Sequence, residues 1–361
     1  MQKNNFILIA GGTGGHVFPA INFGNFLIKN GYSCSLFLDK RGLKYSNRFK
    51  GKIINISSRH FSGNFFYKIL SFFIFIQGFF QSLYFFSTIR PKYCIAFGSY
   101  ASFMPLAVAS IFKLFNFTEI YLHEQNSVIG KVNMFFLPIA KNIFLNFSDV
   151  KKLKESYVNK TSYVGLPKNY NTSPLIRNIN DENKIIKIFV YGGSQSSVNL
   201  NKGFVKLIRK LPPSFDKKLS VVIQSSQNFF SKYHNKLDHL KIEIENKPFF
   251  EDIYYQLCSS DLVIARSGAG TIDDIITTNT PSILVPLPNS IDNHQFYNAK
   301  FLADKGAAKL INEKDFDNAD VLDLFLKLLR DKNLRINIMN NLKSIKSLDT
   351  SNLMIKKIIN K

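Results

Sequence analysis

The chain contains one short pattern twice: an apolar run, a glycine-rich turn, and a segment whose apolar residues recur at helical spacing. The first copy passes from residues 6–10 into Gly-Gly-Thr-Gly-Gly-His at residues 11–16, and the second from residues 185–191 into Gly-Gly-Ser-Gln at residues 192–195. Glycines allow turns at positive φ, and a helix N-terminus offers unpaired N–H groups to an anion, most often a phosphate. Two copies half a chain apart predict two nucleotide-binding-type α/β units with a cleft between them.

The size and composition of the chain fit this reading. A chain of 361 residues that is 45% hydrophobic and 20% charged is long enough for two domains with ordinary cores. The 47 basic against 25 acidic residues give a formal charge of +22, which favours an anionic partner, although a general lysine bias explains it equally well. Because the chain has no arginine-rich run or nucleic-acid motif, we expect no nucleic-acid partner.

The cysteines and the N-terminus indicate a reducing compartment. Cys34, Cys94 and Cys258 lie far apart without the spacing of metal ligands, so we expect no disulfide, no metal site and no cofactor. The N-terminal apolar run is too short for the core of a signal peptide and reads as a first strand. These features predict a cytoplasmic protein.

An aromatic stretch at residues 65–87 carries Lys68 as its one charge. Hydropathy alone permits a transmembrane helix, but polar or small residues interrupt the stretch and a new buried strand follows it. We therefore expect a crossover helix, either buried or with an apolar face toward a bilayer surface. The basic residues that would complement anionic lipid there are Lys40, Arg41, Lys44, Arg48, Lys50, Lys52 and Arg59.

Four further polar or small-residue segments follow predicted strands. They are residues 98–102, residues 123–126 (His-Glu-Gln-Asn), residues 266–274 and residues 292–299. In open α/β sheets ligand groups gather at the carboxyl ends of the strands. These segments are therefore the predicted site.

Taken in order, the segments resemble the MurG family, the N-acetylglucosaminyltransferases that convert lipid I to lipid II in peptidoglycan synthesis. The resemblance spans nearly the whole chain and implies a GT-B fold, an α/β architecture of two Rossmann-like, doubly wound domains. It implies an N-terminal acceptor- and membrane-facing domain at residues 1–165 and a C-terminal domain that binds UDP-N-acetylglucosamine (UDP-GlcNAc) at residues 166–344. A last helix at residues 345–361 would pack back on the first domain.

The resemblance also implies which residues contact the donor. From the N-terminal side these are Thr13, Gly14, Gly15 and Asn126; from the other they are Ser194, Phe250, Ala269, Gly270, Thr271, Ile272, Asp273, Asp274 and Gln295. The chain departs from the family at several points. Asp274 replaces a Glu, Gly270 replaces a Leu, and residues 166–169 lack the family's Arg, which leaves Lys168 as the nearby cation.

The implied reaction is inverting transfer of GlcNAc to the C4 hydroxyl of MurNAc in undecaprenyl-diphosphate-MurNAc-pentapeptide, at the cytoplasmic face of the bacterial inner membrane. His16 is the first candidate base, because imidazole titrates near neutrality and the residue follows the first strand. Its alternative role is to orient the glycine turn or the donor, and Glu124 is the second candidate base. Residues 315–317, Asp-Phe-Asp, match a metal-binding pattern of another glycosyltransferase class but are predicted to begin a solvated helix.

Other functions stay open. A UDP-GlcNAc 2-epimerase, or another transferase of the same fold acting on a lipid-linked acceptor, would share the two-domain design. A catalytically lapsed nucleotide-sugar binder at a membrane surface is a third reading, because Ser99, Phe103, Ser196 and Ser197 stand where the family has small residues, mostly glycine. Serine is expected to fit such turns only at negative φ.

Overall fold

Buried parallel strands form the centre of each half of the molecule. The structure is a computed structural model, and it describes residues 5–59, 64–168, 185–193, 197–234, 242–345 and 348–359. The chain divides into two units, residues 1–170 with 348–361, and residues 171–347. Each unit contains one sheet.

The first unit has a seven-stranded sheet in the order β3-β2-β1-β4-β5-β6-β7, with every pair parallel. Its strands are β1 (Asn5–Ile9), β2 (Ser33–Leu38), β3 (Lys52–Asn55), β4 (Tyr93–Ala96), β5 (Glu119–Glu124), β6 (Asn142–Leu145) and β7 (Thr161–Tyr163), and its first helices are α1 (Gly14–Lys29), α2 (Phe65–Ile89), α3 (Phe103–Leu114) and α4 (Lys131–Phe136). The central strands are buried on both faces, which explains their continuous apolar runs. The order of strands reverses between β1 and β4.

The second unit repeats this order in six parallel strands, β10-β9-β8-β11-β12-β13. The strands are β8 (Ile186–Tyr191), β9 (Leu219–Gln224), β10 (Ile242–Lys247), β11 (Leu262–Ala265), β12 (Ser282–Leu284) and β13 (Lys309–Leu310). The helices are α5 (Val198–Arg209), α6 (Gln227–His234), α7 (Ile253–Ser259), α8 (Ala269–Thr278), α9 (His294–Ala303), α10 (Ala319–Arg330) and α11 (Lys332–Ser344). The predicted pair of doubly wound α/β domains is confirmed.

The last helix, α12 (Thr350–Ile359), belongs to the first unit. Met354 and Ile358 are buried in the core formed by α1, β1 and β4. The hydroxyl of Thr350 donates to the carbonyl oxygen of Val164 at 2.7 Å. The helix is therefore held by apolar packing along its length and by a buried hydrogen bond at its start.

Helix α2 connects β3 to β4 as a crossover helix and has a narrow buried stripe formed by Ser71, Phe75, Gly78, Ser82 and Phe86. The small residues that interrupt the aromatic run thus face the protein. At Gly78 a Cβ would lie 2.2 Å from the backbone oxygen of Ser57, so only glycine allows this approach. Length and composition alone would let the helix cross a membrane. Its place in the fold is that of a crossover helix, and large apolar side chains opposite the buried stripe are exposed.

Candidate active site

Two turns meet where the strand order of the first sheet reverses. Residues 11–13 follow β1 and residues 98–99 follow β4, and a Cβ on Gly11 would lie 2.5 Å from that of Ala101. Gly12, Gly98 and Ser99 all have positive φ. The expectation that serine is accommodated only at negative φ is wrong at Ser99, whose φ is 71° and whose hydroxyl accepts the N–H of Ala101. Such conformations cost energy and cluster at functional sites.

His16 lies in the first turn of α1 and is half-buried. Its Nδ1 atom is 2.7 Å from the carbonyl oxygen of Phe97 and 2.9 Å from Oε1 of Gln125. Gln125 is oriented by its own amide nitrogen, which donates to the carbonyl of His123 at 3.2 Å. Because both neighbours of Nδ1 are oxygen acceptors, Nδ1 carries the proton and Nε2 keeps its lone pair. The imidazole is therefore arranged to accept a proton at Nε2.

His123 lies behind His16 and is fully buried. Its Nε2 donates to the carbonyl of Gly165 at 3.0 Å, and its Nδ1 accepts from the amide nitrogen of Gln125 at 3.2 Å. Burial lowers the pKa of His123 to about 4. The hydrogen bond to Gly165 opposes this shift, and a proton on His16 would add to it. His123 is therefore neutral at physiological pH and serves as a fixed hydrogen-bonding group.

Glu124 organises the loop that follows β5. Its Oε1 accepts the N–H of Asn126 at 3.0 Å, while Oε2 accepts the N–H of Gly130 and the side-chain amide of Asn133, both at 2.8 Å. The residue is 2% exposed. Its carboxylate therefore joins the residues of this motif into one structure, which explains their spacing in the sequence.

Sequence reasoning missed two side chains that hold the glycine turns. Oδ1 of Asp39 accepts the N–H of Gly12 at 2.9 Å, and Oε1 of Gln224 accepts the N–H of Gly192 at 3.1 Å. Asp39 directly follows β2, and Gln224 ends β9, so both stand at the carboxyl end of the second strand of their unit. A polar residue that ends an apolar strand is the signal that could have found them.

The corresponding turn region of the second unit surrounds the start of α8. Gly193 follows β8 with a φ of +87°, and the hydroxyl of Thr271 lies 4.0 Å from the Cβ positions of both Gly193 and Gly268. The N-cap residue of the helix is Gly268, which has no side chain to cap the first amides. The amides of residues 269–271 precede the first intrahelical bond, from Ile272 to Gly268. This helix end therefore presents donors and a partial positive charge.

Arg266 joins the segments around this helix end. The buried guanidinium donates to the hydroxyl of Ser197 at 2.8 Å and to the carbonyl oxygens of Val285 and Pro286 at 3.2 and 3.1 Å, and it pairs with Glu313. Ser197 also caps α5 by accepting the N–H of Leu200. Ser197, which stands where the family usually has a small residue, therefore has a structural role: it caps α5 and accepts a hydrogen bond from Arg266.

The remaining predicted donor residues differ in what they expose. Phe250 is buried with its ring 5.4 Å from that of Phe189, and Ile272 is fully buried. Asp274 faces the end of β8, where burial and this carboxylate raise the pKa of Tyr191.

Gln295 accepts hydrogen bonds from two other segments. Its Oε1 accepts the N–H of Leu287 at 3.0 Å, and its carbonyl oxygen accepts from Ser267 at 2.7 Å. Ser194 lies outside the described residues.

The structure contains no cluster of three or more metal-ligating side chains among the residues it describes. The Asp-Phe-Asp segment forms a short 3₁₀ helix at residues 313–317. There Asp317 pairs with Lys206 and Lys210, and Asp315 accepts from Asn312 and Asn318.

Comparisons with known proteins match both units. The model of the glycosyltransferase family 28 N-terminal domain matches residues 6–145, and that of the C-terminal domain matches residues 187–352. A relative from Rickettsia felis is 33% identical over 93% of this chain and 94% of its own length. Its name is UDP-N-acetylglucosamine--N-acetylmuramyl-(pentapeptide) pyrophosphoryl-undecaprenol N-acetylglucosamine transferase. The chain belongs to the MurG family.

Solved structures agree on the fold of this glycosyltransferase. The crystal structure of Acinetobacter baumannii MurG matches 99% of this chain and 100% of its own with a TM-score of 0.81 and 23% identity. A UDP-GlcNAc 2-epimerase from Neisseria meningitidis, solved with UDP-GlcNAc, matches 99% of the chain and 100% of its own with a TM-score of 0.67 and 10% identity. The GT-B fold is thus shared beyond the MurG family, and the fold alone does not distinguish a transferase from an epimerase. The relatives that are similar in sequence are the transferases.

Proposed function

We propose that this protein is the transferase that moves GlcNAc from UDP-GlcNAc to the C4 hydroxyl of MurNAc in undecaprenyl-diphosphate-MurNAc-pentapeptide, with inversion. The observation that carries the proposal is the placement of His16, whose Nδ1 donates to Phe97 and Gln125 and whose Nε2 is left as the basic atom. The names of the relatives supply the donor and the acceptor.

In this proposal the second unit binds the donor. The start of α8 offers the amides of residues 269–271 to the diphosphate, beside the hydroxyl of Thr271 and the positive-φ turn at Gly193. Asp274 would accept hydrogen bonds from the ribose hydroxyls. Phe250 and Ile272 would contribute through their backbone, because their side chains are buried.

His16 would activate the acceptor. A base at the attacking hydroxyl takes its proton as the bond to the sugar forms, and the imidazolium that results is stabilised by the two oxygens at Nδ1. We assign Glu124 to loop organisation, because its oxygens already accept three N–H donors. The departing UDP would be stabilised by the donors at the start of α8.

The first unit would also bind the membrane surface that carries the acceptor. The first turns of α2 expose Phe65, Phe66 and Phe73. Arg59 stacks on Tyr67 with its guanidinium 5.3 Å from the ring centre, so a cation lies at the edge of this apolar face. An apolar face with a cation at its edge fits an anionic bilayer surface, which we propose to be the cytoplasmic one.

The test is transfer of labelled GlcNAc from UDP-GlcNAc to a soluble lipid I analogue by the purified protein. We expect a β(1→4)-linked product and release of UDP. Formation of UDP-N-acetylmannosamine without acceptor would instead indicate an epimerase. Binding of UDP-GlcNAc with neither product would indicate a lapsed enzyme, and both results would overturn the proposal.

A further inference from the structure

Arg41 extends a cation over the first glycine turn. Its Nε donates to Oδ2 of Asp39 at 3.1 Å, and its guanidinium carbon lies 4.8 Å from the ring centre of Tyr100. Its Nη2 atom is 3.1 Å from the position that a Cβ of Gly12 would occupy. The side chain is nevertheless 52% exposed. The guanidinium is thus held by Asp39 at its Nε atom and by the Tyr100 ring on one face, while the rest of the group is exposed to solvent.

A negative charge lies behind the first turn, and Arg41 offsets it. Asp39 is 2% exposed, and its Oδ1 accepts the N–H groups of Gly12 and Gly42, both at 2.9 Å. A buried carboxylate therefore uses the Gly12 amide and repels an anion. In the second unit the equivalent group is the neutral side chain of Gln224. The two turns look alike in sequence, yet a charged carboxylate paired with Arg41 holds the first and a neutral amide holds the described part of the second.

The nitrogens at the outer edge of Arg41 remain available. Within the described parts of the chain, Nη1 and Nη2 donate to no protein acceptor. The hydroxyl of Ser99 lies 3.4 Å from the Cβ position of Gly12, beside the same turn. A planar guanidinium with two N–H groups on one edge matches two oxygens of a phosphate, and a guanidinium already held in place loses less entropy on binding.

We propose that Arg41 binds the diphosphate of the lipid-linked acceptor, a role that rests on the proposed function. The base and the cation border the same pair of turns, since a Cβ on Gly98 would lie 3.4 Å from Nδ1 of His16 and Arg41 lies over Gly12. In the acceptor the reacting hydroxyl and the diphosphate lie at opposite ends of one sugar ring. Arg41 would thereby set the position of the C4 hydroxyl relative to His16.

The matched comparison is Arg41→Gln against Arg48→Gln. Both changes remove one positive charge from the same short segment, and Arg48 also stacks on an aromatic ring, that of Phe18 at 5.3 Å. With a short-chain polyprenyl-diphosphate acceptor in detergent, we expect Arg41→Gln to raise the KM for acceptor about 10- to 100-fold. Arg48→Gln should change it by no more than about twofold. The KM for UDP-GlcNAc should be the same in both.

Two further readouts separate the acceptor's diphosphate from a lipid headgroup. Inorganic pyrophosphate should compete with the acceptor in the unmodified protein and lose potency in Arg41→Gln alone. Co-sedimentation with phosphatidylethanolamine vesicles containing one quarter phosphatidylglycerol should weaken equally in the two variants. A selective loss of vesicle binding in Arg41→Gln with an unchanged KM for acceptor would assign the residue to the headgroups and overturn the proposal.

The remaining outcomes also test whether Arg41 binds the diphosphate. Equal changes in KM for the two variants would reduce Arg41 to surface charge and overturn the proposal. Arg41→Gln could lose UDP-GlcNAc binding because it misfolds, and Arg41→Lys is then the variant to use. It keeps a cation beside Asp39 but removes the planar guanidinium. An unchanged KM for acceptor in Arg41→Lys would contradict bidentate binding. If the unmodified protein transfers no sugar, the proposed function fails separately, and calorimetry of pyrophosphate with Arg41→Gln and Arg48→Gln still tests the site.

Discussion

The Nδ1 atom of His16 lies 2.7 Å from the carbonyl oxygen of Phe97. This contact links the first turn of α1 to the end of β4, at the point where the strand order of the sheet reverses. A carbonyl oxygen only accepts hydrogen bonds, so it places the imidazole proton on Nδ1. Backbone geometry, which no side-chain substitution of Phe97 removes, therefore determines which nitrogen of His16 is basic.

Replacement of His16 separates the base from an orienting group. His16→Ala should lower kcat about 10²- to 10⁴-fold while UDP-GlcNAc binding is retained. His16→Asn is the sharper variant, because its amide nitrogen can still donate to Phe97 but no atom replaces Nε2. Single-turnover transfer should be as slow in His16→Asn as in His16→Ala. Recovery of activity in the Asn variant would identify orientation as the role of His16.

Glu124→Gln should lower the free energy of unfolding of the protein. The new amide turns an N–H group toward donors that now meet a carboxylate, so we expect a loss of about 1–3 kcal/mol in the free energy of unfolding. Asn133→Ala removes one of the same hydrogen bonds and should give part of this loss. Urea unfolding and the pH profile of kcat are the measurements. Unchanged stability with loss of the acidic limb of the pH profile would instead identify Glu124 as the base.

Neutral His123 predicts a loss of stability in acid. Its pKa falls from 6.5 to about 4 on folding. Between these values the unfolded chain binds a proton that the folded chain does not, so the free energy of unfolding decreases as pH falls from about 6.5 to 4 and this contribution is constant below. The difference amounts to about 3 kcal/mol.

His123→Gln supplies the control, because its amide can donate toward Gly165 but cannot titrate. We expect urea denaturation at pH 7 and pH 4.5 to show a smaller pH dependence in this variant than in the unmodified protein. Equal pH dependence in the two proteins would show that His123 is not the group that takes up the proton.

The exposed face of α2 predicts a selective effect on membrane binding. Phe66 and Phe73 are 71% and 62% exposed. The double change Phe66→Ser/Phe73→Ser should weaken binding to anionic vesicles at least about tenfold, because apolar area no longer enters the bilayer, without changing UDP-GlcNAc binding. Val158→Ser, at an exposed apolar residue of the same unit, should leave vesicle binding unchanged. Equal binding by all three proteins would exclude α2 as the contact.

The sequence predicted the architecture well, because its signals are local. Apolar runs such as residues 6–9 and 186–190 form the central strands, and the glycine turns follow them as expected. The polar and small residues within α2 were expected to argue against a membrane span. Ser71, Gly78 and Ser82 line its buried stripe, whereas Gln77 is exposed. Which side chains at the turns remain available was harder to predict, since it depends on partners far away in the chain.

The sequence by itself determined that two strand–turn–helix units exist and that their polar residues stand at the carboxyl ends of parallel strands, because strand periodicity and glycine conformation are properties of neighbouring residues. Only the tertiary structure decided what each polar group does. In the sequence Glu124 and Asp39 are simply two acidic residues at strand ends. In the fold each carboxylate accepts three N–H donors and holds a loop or turn in place. His16 keeps a basic nitrogen because a carbonyl 81 residues away holds its proton, and a hydrogen bond of that range leaves no mark in the local sequence.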